Sequence, residues 1–426
     1  MQDRVDVAVI GGGAAGIAAA RRLLDEPGLS VLLIEAKPRL GGRALTVGGD
    51  MPMDLGCAWL HSGLTNVWTA IADAEGFTVD RRPAPWDEEE RDLGLTPEEQ
   101  AGYVDAVEAF RQRAEEATAR GADGPLSDLV PAGSPWRGLL DAVSTYVSGA
   151  ELDRVSVRDS GDYRPGEGDD WRVAEGYGRL VAHHGRDLPA VLDTPVTLID
   201  HSGAGPVRIE TPRGTVEAGA VVVTASTSVL AAEGLRFRPG LPGKVEAAAL
   251  LPLGSVEKLW LGVSDPGLFP AEDYCLGSSA TARTAAYHFR PFGRPIVECF
   301  MGGDLARDLS RAGTAAALDF ARGELRSQLG GEAARAVTPL HLTGWGRQAH
   351  ILGAYAYAMP GSAGARARLA EPVDGRLFFA GEATHPTRFT TAHGAYESGV
   401  SAAEALLAAR AKGGRAQDGG ARAGKV

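Results

Sequence analysis

Val7-Ala8-Val9-Ile10-Gly11-Gly12-Gly13-Ala14-Ala15-Gly16, followed by an alanine-rich run and then Val31-Leu32-Leu33-Ile34-Glu35, decides the fold of this chain. Val7, Val9 and Ile10 form the apolar run of an inner parallel strand. Gly11 permits a tight turn, Gly13 has no side chain to block a pyrophosphate, and Gly16 lets the next helix pack close to the strand. That helix, with Ala15 in its first turn, turns its free N–H groups and positive end toward phosphates. Glu35 lies 19 residues past Gly16 (35 − 16) at the end of the second strand, with Ala36 next to it. A carboxylate there accepts hydrogen bonds from ribose hydroxyls. A lone Gly-x-Gly-x-x-Gly also fits a glycine-rich turn in another α/β unit. Strand, helix, strand and acid in this order point to a dinucleotide site.

At 426 residues the chain exceeds one small core, so two domains or one large domain with an insertion are expected. Hydrophobic residues make up 44% and charged residues 23%, which suits a soluble globular protein. The net charge of −12 argues against a nucleic-acid partner, which needs a basic face. It fits solubility, and it would also steer a cationic substrate. The three cysteines, Cys57, Cys275 and Cys299, form neither a metal-like pair nor a disulfide framework. No apolar run reaches the ~18 residues of a membrane span. The first strand starts near Val5, which leaves no room for a signal peptide. A cytoplasmic monomer or homodimer without a metal is expected.

Residues 1–80 read as α/β. Pro83, Pro85 and the acidic run Asp87–Glu90 mark a linker or surface excursion, whose charge is most simply solvated. Thr96 caps a helix with Pro97 in its first position; the helix runs to about Ala119 with Tyr103, Val107 and Phe110 on one face, and Gly121 closes it. Pro135–Tyr146 reads as a second helix. Val196–Asp200, Val207–Glu210 and Val216–Glu217 alternate like a meander. Ala220–Thr224 is a buried strand, and Val256–Val263 and Pro295–Met301 are further strands. Ala315–Leu329 is helical, Leu377–Phe379 is a strand entering a turn, and Gly394–Ala409 is a closing helix. A nucleotide-binding domain from 1–80, 192–250 and 340–410 is therefore expected. It would be interrupted by a mixed-sheet and helical substrate domain from 81–191 and 251–339. The Gly-, Ala- and Arg-rich tail 411–426 is expected to lack order.

Further segments carry a resemblance. They are Leu40-Gly41-Gly42-Arg43-Ala44, Asp54-Leu55-Gly56-Cys57-Ala58-Trp59-Leu60-His61 and Gly254-Ser255-Val256-Glu257-Lys258-Leu259-Trp260-Leu261. Near the C-terminus come Trp345, Gly353-Ala354-Tyr355, Phe379-Ala380-Gly381-Glu382-Ala383-Thr384 and Thr390-Thr391-Ala392-His393-Gly394-Ala395-Tyr396. With the N-terminal fingerprint they resemble the flavin-containing amine oxidases across nearly the whole chain, and the polyamine oxidase branch most. Residues 81–190 add little beyond Glu175–Val181. The resemblance implies a Rossmann-like FAD-binding domain and FAD rather than NAD. It implies that Gly42, Arg43, Trp59, Gly381 and Glu382 contact the cofactor, Arg43 at its phosphates. It implies that Thr391 and Ala392 reach the flavin ring and that Val196 meets the adenine side through its backbone. Ala354 stands where monoamine oxidases carry a flavin-linking cysteine, so the FAD is expected to be non-covalent.

The residues agree with amine chemistry. A helix start at Thr391 and Ala392 offers N–H groups to the electron-rich side of a flavin. Lys258 alternates with Val256 and Trp260, which disfavours an exposed strand lysine. In the family the matching lysine holds a water at the flavin and assists reaction with oxygen. Tyr355 and Trp345 either shape the substrate channel, where ring faces attract cations, or are ordinary core. Thr391 replaces the second tyrosine of the monoamine oxidases, and Phe389 is the candidate to fill that gap. His61 stands where polyamine oxidases carry a histidine near the reaction centre; a proton-accepting role and a structural loop role are both open. His393 reads as structural. The implied reaction oxidises a primary or secondary amine, polyamine-like, to an imine, with oxygen reduced to hydrogen peroxide. Oxidation of an amino acid or a biosynthetic amine, a carbon–carbon desaturase and a flavin-binding scaffold acting through partners remain as alternatives.

Overall fold

The computed structural model describes residues 3–86, 96–164 and 166–422, with side chains described to residue 412. The acidic run Asp87–Glu90 lies outside the described residues. β1 (Arg4–Ile10) leads into α1 (Ala14–Leu24) and β2 (Val31–Ile34), as the fingerprint requires. The chain then adds β3 (Ala190–Val191), β4 (Leu198–Asp200), β5 (Val207–Thr211), β6 (Gly214–Val223) and β7 (Arg236–Arg238). It leaves to build β8 (Val256–Val263), β9 (Asp273–Leu276), β10 (Ala286–Phe289), β11 (Ile296–Gly302) and β12 (Val337–Leu342), and returns with β13 (Leu377–Phe379). The first group and β13 form an eight-stranded sheet ordered β7-β4-β5-β6-β1-β2-β3, with β13 also on β6.

β6 joins two kinds of sheet. Its first half pairs antiparallel with β5, and Val216 and Ala218 alternate with more exposed neighbours. Its last residues, Val221–Val223, run parallel to both β1 and β13 and are buried throughout. A parallel sheet is covered on both faces, so its strands read as unbroken apolar runs, whereas the antiparallel part alternates. The sequence divides this strand into Val216–Glu217 and Ala220–Thr224. It is one strand because β5, β1 and β13 together pair along its whole length, and Gly219, where a Cβ would lie 2.9 Å from the Asp6 carbonyl oxygen, lets it pass close to β1.

Two glycines set the helix contacts behind this sheet. A Cβ on Gly16 would lie 1.8 Å from the Gly11 carbonyl oxygen, and one on Gly399 would lie 2.1 Å from that of Ala15. Gly16 thus holds α1 against the strand turn, and Gly399 lets the last helix close on α1. Overpacking costs typically ~1–3 kcal/mol, and a clash with backbone belongs at the upper end. Gly16→Ala is expected to lower the urea midpoint accordingly; an unchanged midpoint would show that α1 can move outward freely.

The second sheet, ordered β9-β10-β11-β8-β12, is antiparallel throughout. One face, with Leu259, Leu261, Val297, Cys299 and Met301, is packed by hydrophobic residues of the helices that follow β11. The other face carries Lys258, Glu298, Phe300 and His288 toward a cavity.

The helical insertion holds α2 (Pro97–Ala119), with its Thr96–Glu99 capping box, and α3 (Arg137–Ser148). The inner side of α2 is Tyr103, Phe110, Ala114 and Ala117; Val107 shares their spacing but is exposed. The insertion is anchored to the nucleotide domain by Asp159. Its carboxylate accepts from Arg366 Nε at 2.6 Å and from the second guanidinium nitrogen at 2.7 Å, and both side chains are buried. α4 (Thr314–Arg335) packs under the second sheet and breaks at Gly330, where φ is +90°. α5 (Ala392–Arg422) extends past the expected end at Ala409 into the stretch read as lacking order; its alanines are strong helix formers.

Trp171–Val173 pairs with Trp59–Leu60 and Val79–Asp80, and Ala190–Val191 joins β2. Residues 171–191 therefore pack with the nucleotide domain, because Val173, Tyr177, Leu180 and Val181 share a core with Ile17 of α1.

Candidate active site

The two sheets enclose a cavity of about 1200 Å³. Small-molecule pockets usually span ~300–1000 Å³, so this one has room for a dinucleotide and a substrate together. Gly11, Gly13, Ala15, Glu35, Ala36, Gly42, Arg43, Trp59 and Val196 line it from the N-terminal half of the chain. Gly381, Glu382, Thr391 and Ala392 line it from the C-terminal end, together with Lys258, His61, Tyr355 and Trp345. Gly16 does not line it; its role is the helix contact described above.

The nucleotide end fits a pyrophosphate. Gly13 caps α1 without any side-chain hydrogen bond, so the first-turn N–H groups have no intrahelical acceptor. A Cβ on Gly13 would meet nothing closer than 3.8 Å, and one on Gly381 nothing within 4 Å. These are open approaches for a ligand. Glu35 is buried; its Oε2 accepts from Gly12 N at 2.5 Å and its Oε1 from Lys37 N at 2.7 Å. Those bonds fix the carboxylate, and each oxygen retains a lone pair for a ribose hydroxyl.

Arg43 and Glu382 line the cavity and are also engaged within the protein. They pair with each other at 2.9 Å, and Arg43 also donates to Ala354 O at 2.5 Å. Glu382 further accepts from Ala356 N at 3.1 Å and Thr390 N at 3.0 Å. The carboxylate is thus engaged in holding the 390 loop, and the guanidinium is partly neutralised. Thr391 is similarly engaged: its Oγ1 donates to Arg388 O at 2.7 Å and accepts from Gly394 N at 3.0 Å, capping α5. It orders the helix start and does not offer a free hydroxyl.

Lys258 is 4% exposed. Its Nζ lies 2.8 Å from Glu298 Oε1 and donates to Asp54 O at 3.1 Å. Strand register explains the pair: Lys258 opposes Phe300 and Trp260 opposes Glu298, so lysine and glutamate are diagonal neighbours on the cavity face. Asp54 itself sits under Tyr177 N and Gly178 N at 3.0 and 3.1 Å, and burial raises its carboxyl pKa. Burial, with Asp54 nearby, pushes the Cys57 thiol up to about 12, so it is no thiolate at neutral pH.

Of the aromatic candidates, Tyr355 and Trp345 line the cavity and Phe389 does not. Tyr355 donates its hydroxyl to Tyr146 O and is half-buried in the cavity wall, and burial raises its pKa. Trp345 donates its indole N–H to Leu55 O at 3.0 Å and packs with Leu55, Trp260 and Ile351, so it is both core and cavity wall. Phe389 does not fill the missing second ring. It is buried under the Arg366 guanidinium, 3.7 Å from the ring centre, and lies against Tyr163. Tyr163 lines the cavity in its place.

Several cavity groups escaped the sequence reading: Glu298, His288, Asp170, and a wall of Tyr103, Tyr146, Tyr274 and Trp86. The alternation of β8 to β11 was the available signal for Glu298 and His288, since each shares a pleat face with Lys258. No comparable signal existed for Asp170. Its carboxylate receives His61 Nδ1 at 2.7 Å and Ser62 N at 2.9 Å. His393 is buried and 3.3 Å from Asn66 Nδ2, in keeping with a structural role.

Residues 14–407 match the model of the flavin containing amine oxidoreductases. A probable polyamine oxidase 4 of Arabidopsis thaliana is 28% identical over 443 residues, covering 93% of this chain and 86% of the relative. A lysine-specific histone demethylase 1 homolog of Oryza sativa subsp. japonica is 29% identical, covering 94% of this chain and 57% of the relative. Among solved structures, a cofactor-binding variant of putrescine oxidase superposes with a TM-score of 0.79 at 17% identity, covering 96% of this chain and all of the other. Cyclohexylamine oxidase of Brevibacterium oxydans IH-35A gives 0.72 at 23% identity over 94% and 98%. With the dinucleotide cradle, the buried lysine and this match, the chain belongs to the flavin-containing amine oxidoreductase family and is an FAD-dependent amine oxidase.

Proposed function

We propose that this chain oxidises a small polyamine-like amine to an imine that water hydrolyses, with oxygen as acceptor and hydrogen peroxide as product. The observation that carries the oxidase reading is Lys258, a buried cation fixed in the cavity wall by Glu298 and the Asp54 carbonyl. Burying such a pair without a task is costly, and a carbon–carbon desaturase has no use for it. The FAD supplies the two-electron acceptor. Gly13, Gly42 and Gly381 would admit it, Glu35 would hold its ribose, and the starts of α1 and α5 would present N–H groups to its phosphates and ring.

The remaining chemistry concerns the substrate proton. A free alkyl amine has a pKa near that of lysine, ~10.4, so it arrives as an ammonium and must lose a proton to free its lone pair. Walls built from Tyr355, Tyr146, Phe300 and Val143 exclude water and favour the neutral form. At the rim, Asp169 is exposed beside Asp170 and near Glu167, a carboxylate loop suited to a second cationic centre. The names of the plant relatives support the same substrate class. One observation favours an apolar monoamine instead: Glu298, Asp170 and Glu382 are each already paired with a basic group.

A panel of spermine, spermidine, putrescine, benzylamine and cyclohexylamine, scored by anaerobic flavin bleaching and by peroxide release in air, separates these readings. Bleaching fastest with the polyamines is expected. Bleaching by monoamines alone overturns the substrate class, and bleaching by none overturns the oxidase reading. Acid precipitation is expected to leave all the FAD in the supernatant, because Ala354 carries no thiol; yellow pellet would show a covalent bond.

A further inference from the structure

We propose that His288 binds the second nitrogen of a polyamine substrate, its Nδ1 accepting a hydrogen bond from that ammonium, and that Glu272 is the positioning residue that fixes the imidazole for this. The proposal rests on the amine oxidase reading above and deepens it, naming the wall that tells a polyamine from a monoamine.

Strand register places the residue. His288 of β10 opposes Tyr274 of β9 and Glu298 of β11, and Phe300, two residues past Glu298, opposes Lys258 of β8. His288 is therefore two strands and two residues from Lys258 on the cavity face, roughly 12 Å away. That interval leaves room for an alkyl chain between a carbon reacting near Lys258 and a nitrogen at His288. Glu298, which lies between them, is occupied by Lys258. Three rings enclose the position. The Trp59 ring centre is 5.9 Å from that of His288, Trp86 is 4.3 Å from Trp59, and Tyr274 is 5.8 Å from Trp86. All four side chains line the cavity, and ring faces attract an alkylammonium.

The imidazole is fixed from behind. Its Nε2 is 3.2 Å from Glu272 Oε2. The same oxygen accepts from Arg172 Nη1 at 2.8 Å, while Oε1 accepts from Phe292 N at 2.7 Å and from Arg82 at 3.0 Å. Arg172 Nη1 also lies 3.4 Å from Nε2, farther than the carboxylate, so Glu272 decides which nitrogen carries the hydrogen. An ionised carboxylate only accepts, so Nε2 bears the hydrogen and Nδ1 the lone pair. Nδ1 has no hydrogen-bond partner among the described residues. Glu272 adopts φ +63° and Phe292 φ +57°, costly left-handed conformations that this network sustains.

The charges behind the ring balance. Arg172 meets Asp80 at 2.7 Å as well as Glu272, and Arg82 meets the same two carboxylates at 2.8 and 3.0 Å. Two cations face two anions, and no net positive charge remains there to repel an ammonium. Burial alone would raise the Glu272 carboxyl, but the bonds from His288 and Arg172, with the guanidinium charge, outweigh it and hold it well below the usual carboxylate range. Glu272 is therefore ionised at neutral pH, and the bond from an ammonium to Nδ1 is charge-assisted.

His288→Leu, His288→Asn and His288→Gln test this with putrescine, spermidine and benzylamine. Anaerobic flavin reduction gives a Kd and a limiting rate for each amine. In His288→Leu the Kd is expected to rise roughly 10- to 100-fold for both polyamines and to stay within about threefold for benzylamine, the pattern of losing one hydrogen bond to a charged group. Asparagine can place its Oδ1 where Nδ1 stands and is expected to keep most of the selectivity; glutamine reaches toward Nε2 and is expected to lose it. Glu272→Gln, which leaves a net positive charge behind the ring, is expected to weaken the polyamines alone. An unchanged polyamine-to-benzylamine ratio in His288→Leu overturns the binding role, and an unchanged ratio in Glu272→Gln overturns the positioning role. Should the leucine variant fold poorly, the asparagine and glutamine variants decide, because equal selectivity in the two sinks the proposal. A wild-type enzyme whose flavin is reduced by benzylamine but by neither polyamine removes the polyamine reading and this subsite together. Polyamine oxidation at a ratio the His288 variants do not change removes the subsite alone.

Discussion

Lys258→Met is expected to slow the reaction of reduced enzyme with oxygen by roughly 100- to 1000-fold, the usual loss on removing one preorganised charge-stabilising group. FAD is expected to remain bound, since Lys258 lies in the second sheet and far in sequence from the glycines that admit the nucleotide. The cation is effective because it is immobile: its Nζ is held by Glu298 and the Asp54 carbonyl, and negative charge developing on oxygen meets it without reorganisation. Methionine keeps the length of the side chain but leaves Glu298 as a buried carboxylate without a cation, and breaking such a pair costs ~3–5 kcal/mol. Stability and oxygen chemistry can therefore be separated. The double variant Lys258→Met/Glu298→Gln should regain thermal stability but not the oxygen rate. Stopped-flow mixing of reduced protein with oxygen measures the rate, and the flavin-to-protein absorbance ratio measures retention. An unchanged oxygen rate in Lys258→Met removes the role assigned to this lysine.

Asp159→Asn is expected to destabilise the fold by about 3–5 kcal/mol, because it leaves the Arg366 guanidinium buried without its counter-ion. Arg366 does more than pair. It donates to Ala383 O and to Ala356 O, each at 3.1 Å, and it covers Phe389. The segment 381–391 that enters the flavin site is thus clamped through one guanidinium to the helix Val157–Asp162 of the insertion. The variant should lose FAD faster as well as unfold at lower urea. Replacing both partners with apolar residues, Asp159→Leu/Arg366→Met, should recover part of the urea midpoint, since removing a buried pair entirely is far less harmful than orphaning one member. Equal midpoints for the wild type and Asp159→Asn would show that the clamp carries no stability.

The sequence exposed the parts whose causes are local. Val7–Glu35 became strand, helix and strand because apolar runs, a positive-φ glycine at Gly11 and an alanine-rich helix act over a few residues each. The same holds for Val256–Val263 and for the capped helix Pro97–Ala119, both found at the expected bounds. Errors arose where distant partners decide. Val216–Glu217 and Ala220–Thr224 merged because β5, β1 and β13 all pair with one strand. Phe389 turned away because Arg366 offers its ring a cation.

By itself the sequence determined the dinucleotide cradle, the buried lysine strand and the chemistry they imply, since these follow from residue type at short spacing. Only the tertiary structure decided what each charged group faces. His61 and Asp170 stand 109 residues apart and Asp159 and Arg366 207 apart, while Lys258 and Glu298 meet across a strand register. Such pairings depend on how sheets and loops pack, and no periodicity within one segment encodes them.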